Sequence, residues 1–446
     1  MAGANTLIDL PESFVEHMQH ILLPIQLTEF FESYNAPAMR GIRLNQLKPS
    51  NLYTGNQVVP WCKEGRIYSS DIRPAKNILF HAGLFYIQEP SAMCPVEVLA
   101  PKPGEYILDM CAAPGGKSVQ IAGHLQGQGL LLANDASPSR SRALVKNLER
   151  MGVTNAVVTT ETPKELAARF PSFFDKILVD APCSGEGMFR RDAEAIKAYT
   201  ANKPSACMSM QADILRFAAQ MLKPGGQIVY STCTFNTMEN EGSIIEFLKA
   251  NPNFESIAID HQRLGISTGT NILPTAGRIF PHLAPGDGHF VALLQKQGSS
   301  PVQAQARQHQ QAPKEFIEFC NMHLEAELPV GTFVQHGANL YSQPVLLDLR
   351  GIRVARSGWF LGEVTKGRFE PSQALAMGIP TAKFNVNLSE ENATRYLKGE
   401  SLAASESMQN LQGKPWVLML YQGYPLGWAK LVQGRLKNNL PVGWVV

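Results

Sequence analysis

No C-x-x-C pair occurs among the seven cysteines of this 446-residue chain, and their odd number and irregular spacing fit neither a zinc site nor a disulfide framework. Free thiols are expected, most of them buried, and no metal ligand set stands out. Long apolar runs are missing as well. The longest, such as "ILLPIQL" from Ile21, fall far short of the ~20 residues that a membrane-spanning helix needs. The start, "LPESFVEHM", lacks the basic-then-apolar pattern of a secretory signal, so the expected location is the cytoplasm and no membrane partner is expected. Excess charge of one sign is scarce too: a net charge of +2 permits a nucleic-acid partner without requiring one.

What is present is a globular composition, 44% apolar and 17% charged, in a chain long enough for about two or three domains. One stretch stands apart, "ILDMCAAPGGKS" at residues 107–118. Its GKS ending suggests a phosphate-cradling P-loop, but that loop needs a glycine where Cys111 stands. A G-x-G-x-x-G dinucleotide fingerprint fails likewise, because Ala112, Ala113 and Pro114 stand where it needs glycine or free approach of backbone. A ligand other than a pyrophosphate is implied.

From Tyr106 to about Lys296 short β-rich runs alternate with helical patterns. "YILDM", "LLLAND", "AVVTTE", "FDKILVDA", "GGQIVYST" and "HFVALLQK" read as strands; "SPSRSRALVKNLERMG" and "SMQADILRFAAQMLKPGG" read as helices closed by glycine or proline. Such alternation predicts an α/β, Rossmann-like core with a mostly parallel sheet and ligands beyond the carboxyl ends of its strands. Residues 1–100 read as a mixed α/β lobe, 101–297 as the core, 298–313 ("GSSPVQAQARQHQQAP") as a flexible linker, and 314–446 as a further region with a small β-rich module.

Three strand ends carry candidate chemistry. Asp135 follows the second strand about twenty residues after the glycine loop, where such folds place an acid on a ribose; it could equally be a turn acid before the Ser137-Pro138 helix start. S-adenosylmethionine fits this combination, having a ribose and no phosphate. "DKILVDAPCSGEGMF" presents Asp180 and Cys183, and "GGQIVYSTCTFNTMENE" presents Cys233, on the same expected edge. A single free cysteine is most often a small buried hydrophobe, but two converging on a cofactor loop point to chemistry. A thiolate that adds to carbon 6 of a pyrimidine makes carbon 5 nucleophilic enough to accept a methyl group. Ring nitrogen 3 then needs a proton or strong hydrogen bond, a role suited to Asp180, and Lys117 is the obvious cation to promote thiolate formation. That minimal scheme leaves the second cysteine without a task.

At these residues the chain resembles the Sun/NSUN family of RNA cytosine-5 methyltransferases, through "DMCAAPGGKS", "DAPCSGEGMFRR", "STCTFNTMENE", and the flanking "LFYIQEPSAM" and "PHLAPGDGHFVALL". The resemblance implies that Cys233 attacks carbon 6 while Cys183 assists release of the methylated RNA. It implies further that Cys111, Ala112, Ala113, Pro114, Gly115, Gly116 and Lys117 wrap the methionine end of S-adenosylmethionine. Asp135 would then hold the ribose, Arg140 the adenosine side, and Asp180 the space between cofactor and cytosine. Many relatives carry an aspartate after the third strand near the adenine; here Glu161 stands in "TETP".

The tail, "SGWFLGEVTKGRFEPSQALAM" and "YQGYPLGWAKLVQGRLKN", looks like that of the family's bacterial RsmF-type enzymes, which implies a PUA-like RNA-binding module and small-subunit ribosomal RNA as partner. Arg350, Arg353, Arg356, Lys366 and Arg368 could meet phosphates or simply be solvated; Trp359 and Phe360 read as core; Phe189 could pack on a splayed cytosine or close the sheet edge. Transfer RNA is the alternative substrate, and a non-catalytic RNA-binding assembly factor is the alternative class. Nothing in the sequence demands more than a monomer.

Overall fold

The computed structural model describes residues 9–53, 55–69, 71–300, 311–325, 327–328, 331–409 and 415–446; of the expected linker, residues 301–310 lie outside the described residues. Its centre is a sheet of ten strands: β1 (Tyr106–Asp109), β2 (Leu130–Asn134), β3 (Ala156–Thr159), β4 (Phe174–Asp180), β5 (Leu222–Thr232), β6 (Phe254–Ile257), β7 (Ser267–Thr268), β8 (Gly277–Ile279), β9 (His289–Lys296) and β10 (Val354–Arg356). The order is β7-β8-β9-β5-β4-β1-β2-β3-β10, with β6 added at β9. Strands β3, β2, β1, β4 and β5 run parallel, and β9 and β10 are antiparallel to their neighbours. The continuous apolar runs of β1 and β2 follow from burial on both faces. Helices α1 (Gly116–Leu125) and α2 (Pro138–Arg150) cover one face together with Cys94–Leu99. The other face is covered by Pro163–Arg169 and α3 (Lys203–Met221). Chain order reverses between β1 and β4, so the loops after those strands part and leave a crevice at their carboxyl ends.

Around this core the chain ends fold back on each other. The N-terminal lobe is a four-stranded sheet of Val58–Val59, Cys62–Tyr68, Arg40–Leu44 and Phe85–Ile87, preceded by two helices. Phe14 and Phe30 of those helices pack with Phe189, Tyr199, Phe235 and Phe280, and so brace the loops that leave β4 and β5. In the C-terminal region a four-stranded sheet (from Thr332–His336 to Arg368–Pro371) and a five-stranded sheet (including Trp416–Tyr421 and Tyr424–Val432) share a core with Trp359, Trp416 and Trp428. The five-stranded sheet also packs on the N-terminal lobe, joining Val417 and Met419 to Ile42 and Phe85. Among the described residues, no helix is long and apolar enough to cross a membrane.

One buried ion pair anchors the loop after β5. Arg278 donates to both Glu241 oxygens at 2.8 and 2.6 Å and to the Phe235 carbonyl at 2.9 Å, and both charged side chains are out of solvent. Arg278→Met strands the Glu241 charge, so urea denaturation should show a loss of about 3–5 kcal/mol, and adding Glu241→Leu should recover most of it.

Candidate active site at the carboxyl edge of the sheet

The loop between β1 and α1 is fastened from three sides. The Ala112 N–H donates to the Asn134 carbonyl at 2.8 Å, Ala113 N–H to Asp135 Oδ2 at 3.1 Å, and Arg140 and Asn147 donate to the Ala113 and Pro114 carbonyls at 2.6 and 2.7 Å. Gly115 adopts a φ of 112°, a region that disfavours side chains, and a Cβ there would lie 3.1 Å from Leu144. Asp135 is nearly buried; its other oxygen accepts from the Ser137 N–H at 3.0 Å, and Arg140 stands 3.4 Å from the carboxylate. It is therefore a turn acid and also the buckle of the glycine loop, with lone pairs left over for a ligand.

Asp180 ends β4 in the middle of the edge. Lys117 Nζ lies 2.8 Å from Oδ2, Ser231 Oγ donates to Oδ1 at 2.8 Å, and His289 Nε2 stands 3.6 Å away. Burial pushes the carboxyl up, but the Lys117 ammonium and then His289 outweigh it and hold Asp180 well below the usual carboxylate range. For Lys117 burial acts downward and the Asp180 charge more than offsets it. The pair is thus charged on both sides. A carboxylate held in that state accepts hydrogen bonds while the Lys117 ammonium donates them, so Lys117 joins Asp180 as a candidate for the nitrogen 3 role.

The two thiols meet because their strands are neighbours in register. Asp180 pairs with Ser231, so loops that carry Cys183 three residues on and Cys233 two residues on leave side by side. Their Sγ atoms are 3.3 Å apart, both partly exposed and neither in a disulfide. The contact with Cys233 and then burial push the Cys183 thiol well up, so Cys183 keeps its proton beside its neighbour. Ser184 N–H donates to Glu239 at 2.8 Å and Gly187 N–H to the Cys233 carbonyl at 2.9 Å, which locks the two loops together. Cys111 belongs to the glycine loop, where burial raises its thiol too.

Sequence reasoning passed over Asp109, whose only signal was an acid at the end of the first strand. It is fully buried; Ser118 Oγ donates to Oδ2 at 2.6 Å, while Oδ1 has no partner, and burial pushes the carboxyl up to about 7. Asp109, Asp135 and Asp180 thus ring the loop with acceptors, one of them orphaned, a donor set that fits a ligand bearing an ammonium, a sulfonium and a ribose. Since the unfolded carboxyl titrates near ~3.9, wild-type stability contributed here falls as pH rises from about 4 to about 7. Denaturation of Asp109→Asn across that window should show the variant gaining on wild type by up to ~1.4 kcal/mol per pH unit.

Other expectations resolve differently. Phe189 is buried with its ring 5.2 Å from Phe14 and 5.3 Å from Tyr199, so it closes the edge rather than facing a cytosine. Four of the five tail cations are engaged within the chain: Arg350 with Asp348, Arg353 with Glu161, Arg356 with Glu149 and Arg368 with Glu370. Glu161 is therefore clamped rather than open. Cys62, Glu64 and Glu97 bring ligand atoms within 4.8 Å of one another, but Gln46, Gln120 and His124 already pair with the acids, and Arg43 lines the same seam.

Four family models match consecutive parts of the chain: the N-terminal domain of 16S rRNA methyltransferase RsmF over residues 10–90, 16S rRNA methyltransferase RsmB/F over 96–295, the RsmF rRNA methyltransferase first C-terminal domain over 318–379, and the methyltransferase RsmF PUA domain over 383–446. Ribosomal RNA small subunit methyltransferase F of Klebsiella pneumoniae is 33% identical over 476 residues, covering 98% of this chain and 97% of that protein. Its counterpart from Erwinia tasmaniensis is 32% identical over 465 residues, covering 97% and 96%. Among solved structures, a methyltransferase homolog protein from Pyrococcus horikoshii is 31% identical at a TM-score of 0.52, covering 64% of this chain and 100% of that one. NSun6 from the same organism, solved with SFG, shares the fold at a TM-score of 0.58 and 22% identity, covering 66% and 100%.

Proposed function

Because the chain belongs to the RsmF family of 16S rRNA methyltransferases, we propose that it methylates carbon 5 of a cytidine in small-subunit ribosomal RNA through a cysteine adduct. The observation that carries this reading is a pair of thiols 3.3 Å apart beside a charged Lys117–Asp180 pair, on the ligand edge of a methyltransferase-type sheet. Transfer of a methyl group is the chemistry that S-adenosylmethionine supplies when held by the 111–117 loop, Asp109, Asp135 and Arg140.

The residues of the chain do the rest. Cys233 Sγ adds to carbon 6, which breaks the 5,6 double bond and places negative charge on the ring toward nitrogen 3. Lys117, not Asp180, holds the proton that this charge calls for, and Asp180 accepts from the exocyclic amine and keeps Lys117 oriented. Once carbon 5 is methylated, its proton passes to solvent at the partly exposed edge, the sulfur–carbon 6 bond breaks, the double bond returns and the nitrogen 3 proton goes back to Lys117. Cys183, a protonated thiol within reach of Cys233, then donates to the leaving sulfur. This gives the second cysteine the task that the minimal scheme lacked. The tail module tethers the RNA, and the form in which we propose the enzyme acts is a cytoplasmic monomer.

The test is methyl transfer from labelled S-adenosylmethionine to small ribosomal subunits, their stripped RNA and bulk transfer RNA, with the modified nucleoside identified. 5-Methylcytidine in ribosomal RNA is the expected product. Label confined to transfer RNA would overturn the substrate, another methylated nucleoside would overturn the mechanism, and no label alongside intact RNA binding would favour the assembly-factor reading.

A further inference from the structure

The C-terminal region does more than sit beside the core. Val345 and Leu347 are buried in the same apolar cluster as Leu108 and Phe170. Strand β10 then adds itself antiparallel to β3 at the far edge of the main sheet. Just before it, Arg353 reaches the residues that leave β3. Thr160 N–H donates to the Arg353 carbonyl at 2.8 Å; the Arg353 N–H donates to Glu161 Oε1 at 2.6 Å, and its guanidinium to both Glu161 oxygens at 3.2 and 3.0 Å.

From Glu161 the connection runs inward. Asn134 Oδ1 accepts from the Glu161 N–H at 2.9 Å, and Asn134 Nδ2 donates to the carbonyls of Glu161 and Met110 at 3.0 and 3.2 Å. Asn134 immediately precedes Asp135, and Met110 opens the glycine loop. A continuous set of hydrogen bonds therefore links Arg353 to both elements that would hold the methyl donor. The direction of the ligand along the edge follows from the site: reacting groups stand at β4 and β5, the ribose acid at the end of β2, so the base of a nucleoside lies toward the end of β3, where Thr160 and Glu161 stand.

We infer that Arg353 is a positioning residue for the nucleoside end of the methyl donor, so that the tail region completes the cofactor site as well as tethering RNA. The inference rests on the proposed function, since it takes the donor to be a nucleoside sulfonium. The charge of Glu161 is spent on Arg353 instead of on the ligand, and the shape of the loop after β3 depends on a residue nearly two hundred positions downstream.

Calorimetry on the full chain tests this without turnover. Wild type should bind S-adenosylhomocysteine, and also 5′-methylthioadenosine, which keeps the nucleoside end and lacks the amino acid. Arg353→Ala should weaken both by about tenfold, the scale of one charge-assisted hydrogen bond, while RNA affinity stays within about twofold and thermal unfolding stays cooperative. Arg353→Lys, which keeps the charge and loses the two-pronged geometry, should fall between. Unchanged binding of both ligands by Arg353→Ala, or a loss confined to S-adenosylhomocysteine, would overturn the inference. Failure of wild type to bind either ligand would instead strike the proposed function.

Discussion

Cys233→Ala should remove methyl transfer to the detection limit, a loss of roughly 10⁴-fold or more, because it deletes the sulfur that bonds carbon 6 in the proposed mechanism, and its neighbour Cys183 keeps its proton. Cys183→Ala should behave differently. With its methyl-donor chemistry intact and the proton on the neighbouring sulfur gone, it should stall after transfer and accumulate a covalent protein–RNA species that survives denaturing electrophoresis. The 3.3 Å separation makes the two experiments sharp, since either thiol is close enough to perform the other's task. An adduct in Cys233→Ala and none in Cys183→Ala would exchange the two roles and leave the reaction class standing.

Lys117→Met is the second large effect. It removes the proton held over the ring and leaves the Asp180 carboxylate beside Ser231 and His289 without its ion-pair partner. The expected loss in kcat is about 10²–10³-fold, as for removal of one preorganised electrostatic donor. A pH series separates this from simple misfolding. In wild type the depressed Asp180 contributes stability that is present above the unfolded carboxyl value near ~3.9 and is lost only as pH falls below it. Without Lys117 the largest influence holding the carboxyl down is gone, so Lys117→Met should lose less stability than wild type as pH falls below about 4. A variant that kept kcat within about tenfold of wild type would remove Lys117 from the reaction.

Much of this site was legible in the chain because its parts sit at strand ends. Alternation of apolar runs with amphipathic helices implies a parallel sheet, a parallel sheet implies one ligand edge, and Cys111, Asp135, Asp180, Cys183 and Cys233 all lie at or just past the end of a predicted strand. Lys117 followed as the obvious cation near the thiols, and it stands in the first turn of the helix after the loop. The roles were less legible than the positions. Asp180 reads as an acid from its residue type, and only the 2.8 Å ammonium beside it explains why its carboxyl is held below the usual range. Phe189 reads as a possible platform from its spacing after Cys183, yet two N-terminal helices bury it.

Positions, periods and the glycine loop are properties of neighbouring residues, and local sterics and hydrophobic periodicity dictate them wherever the segment ends up. Charge states, burial and partners are not local. Arg353 pairs with Glu161 across 192 positions, Asp287 is reached by Arg190 and Arg191 from 97 and 96 positions away, and Val417 packs on the lobe that holds Ile42. Such contacts depend on how separately formed sheets and helices close on one another, and no periodicity in the chain encodes that closure. Packing therefore decides which acid faces an ammonium, which tail arginines pair within the chain and which region borders the end of the third strand.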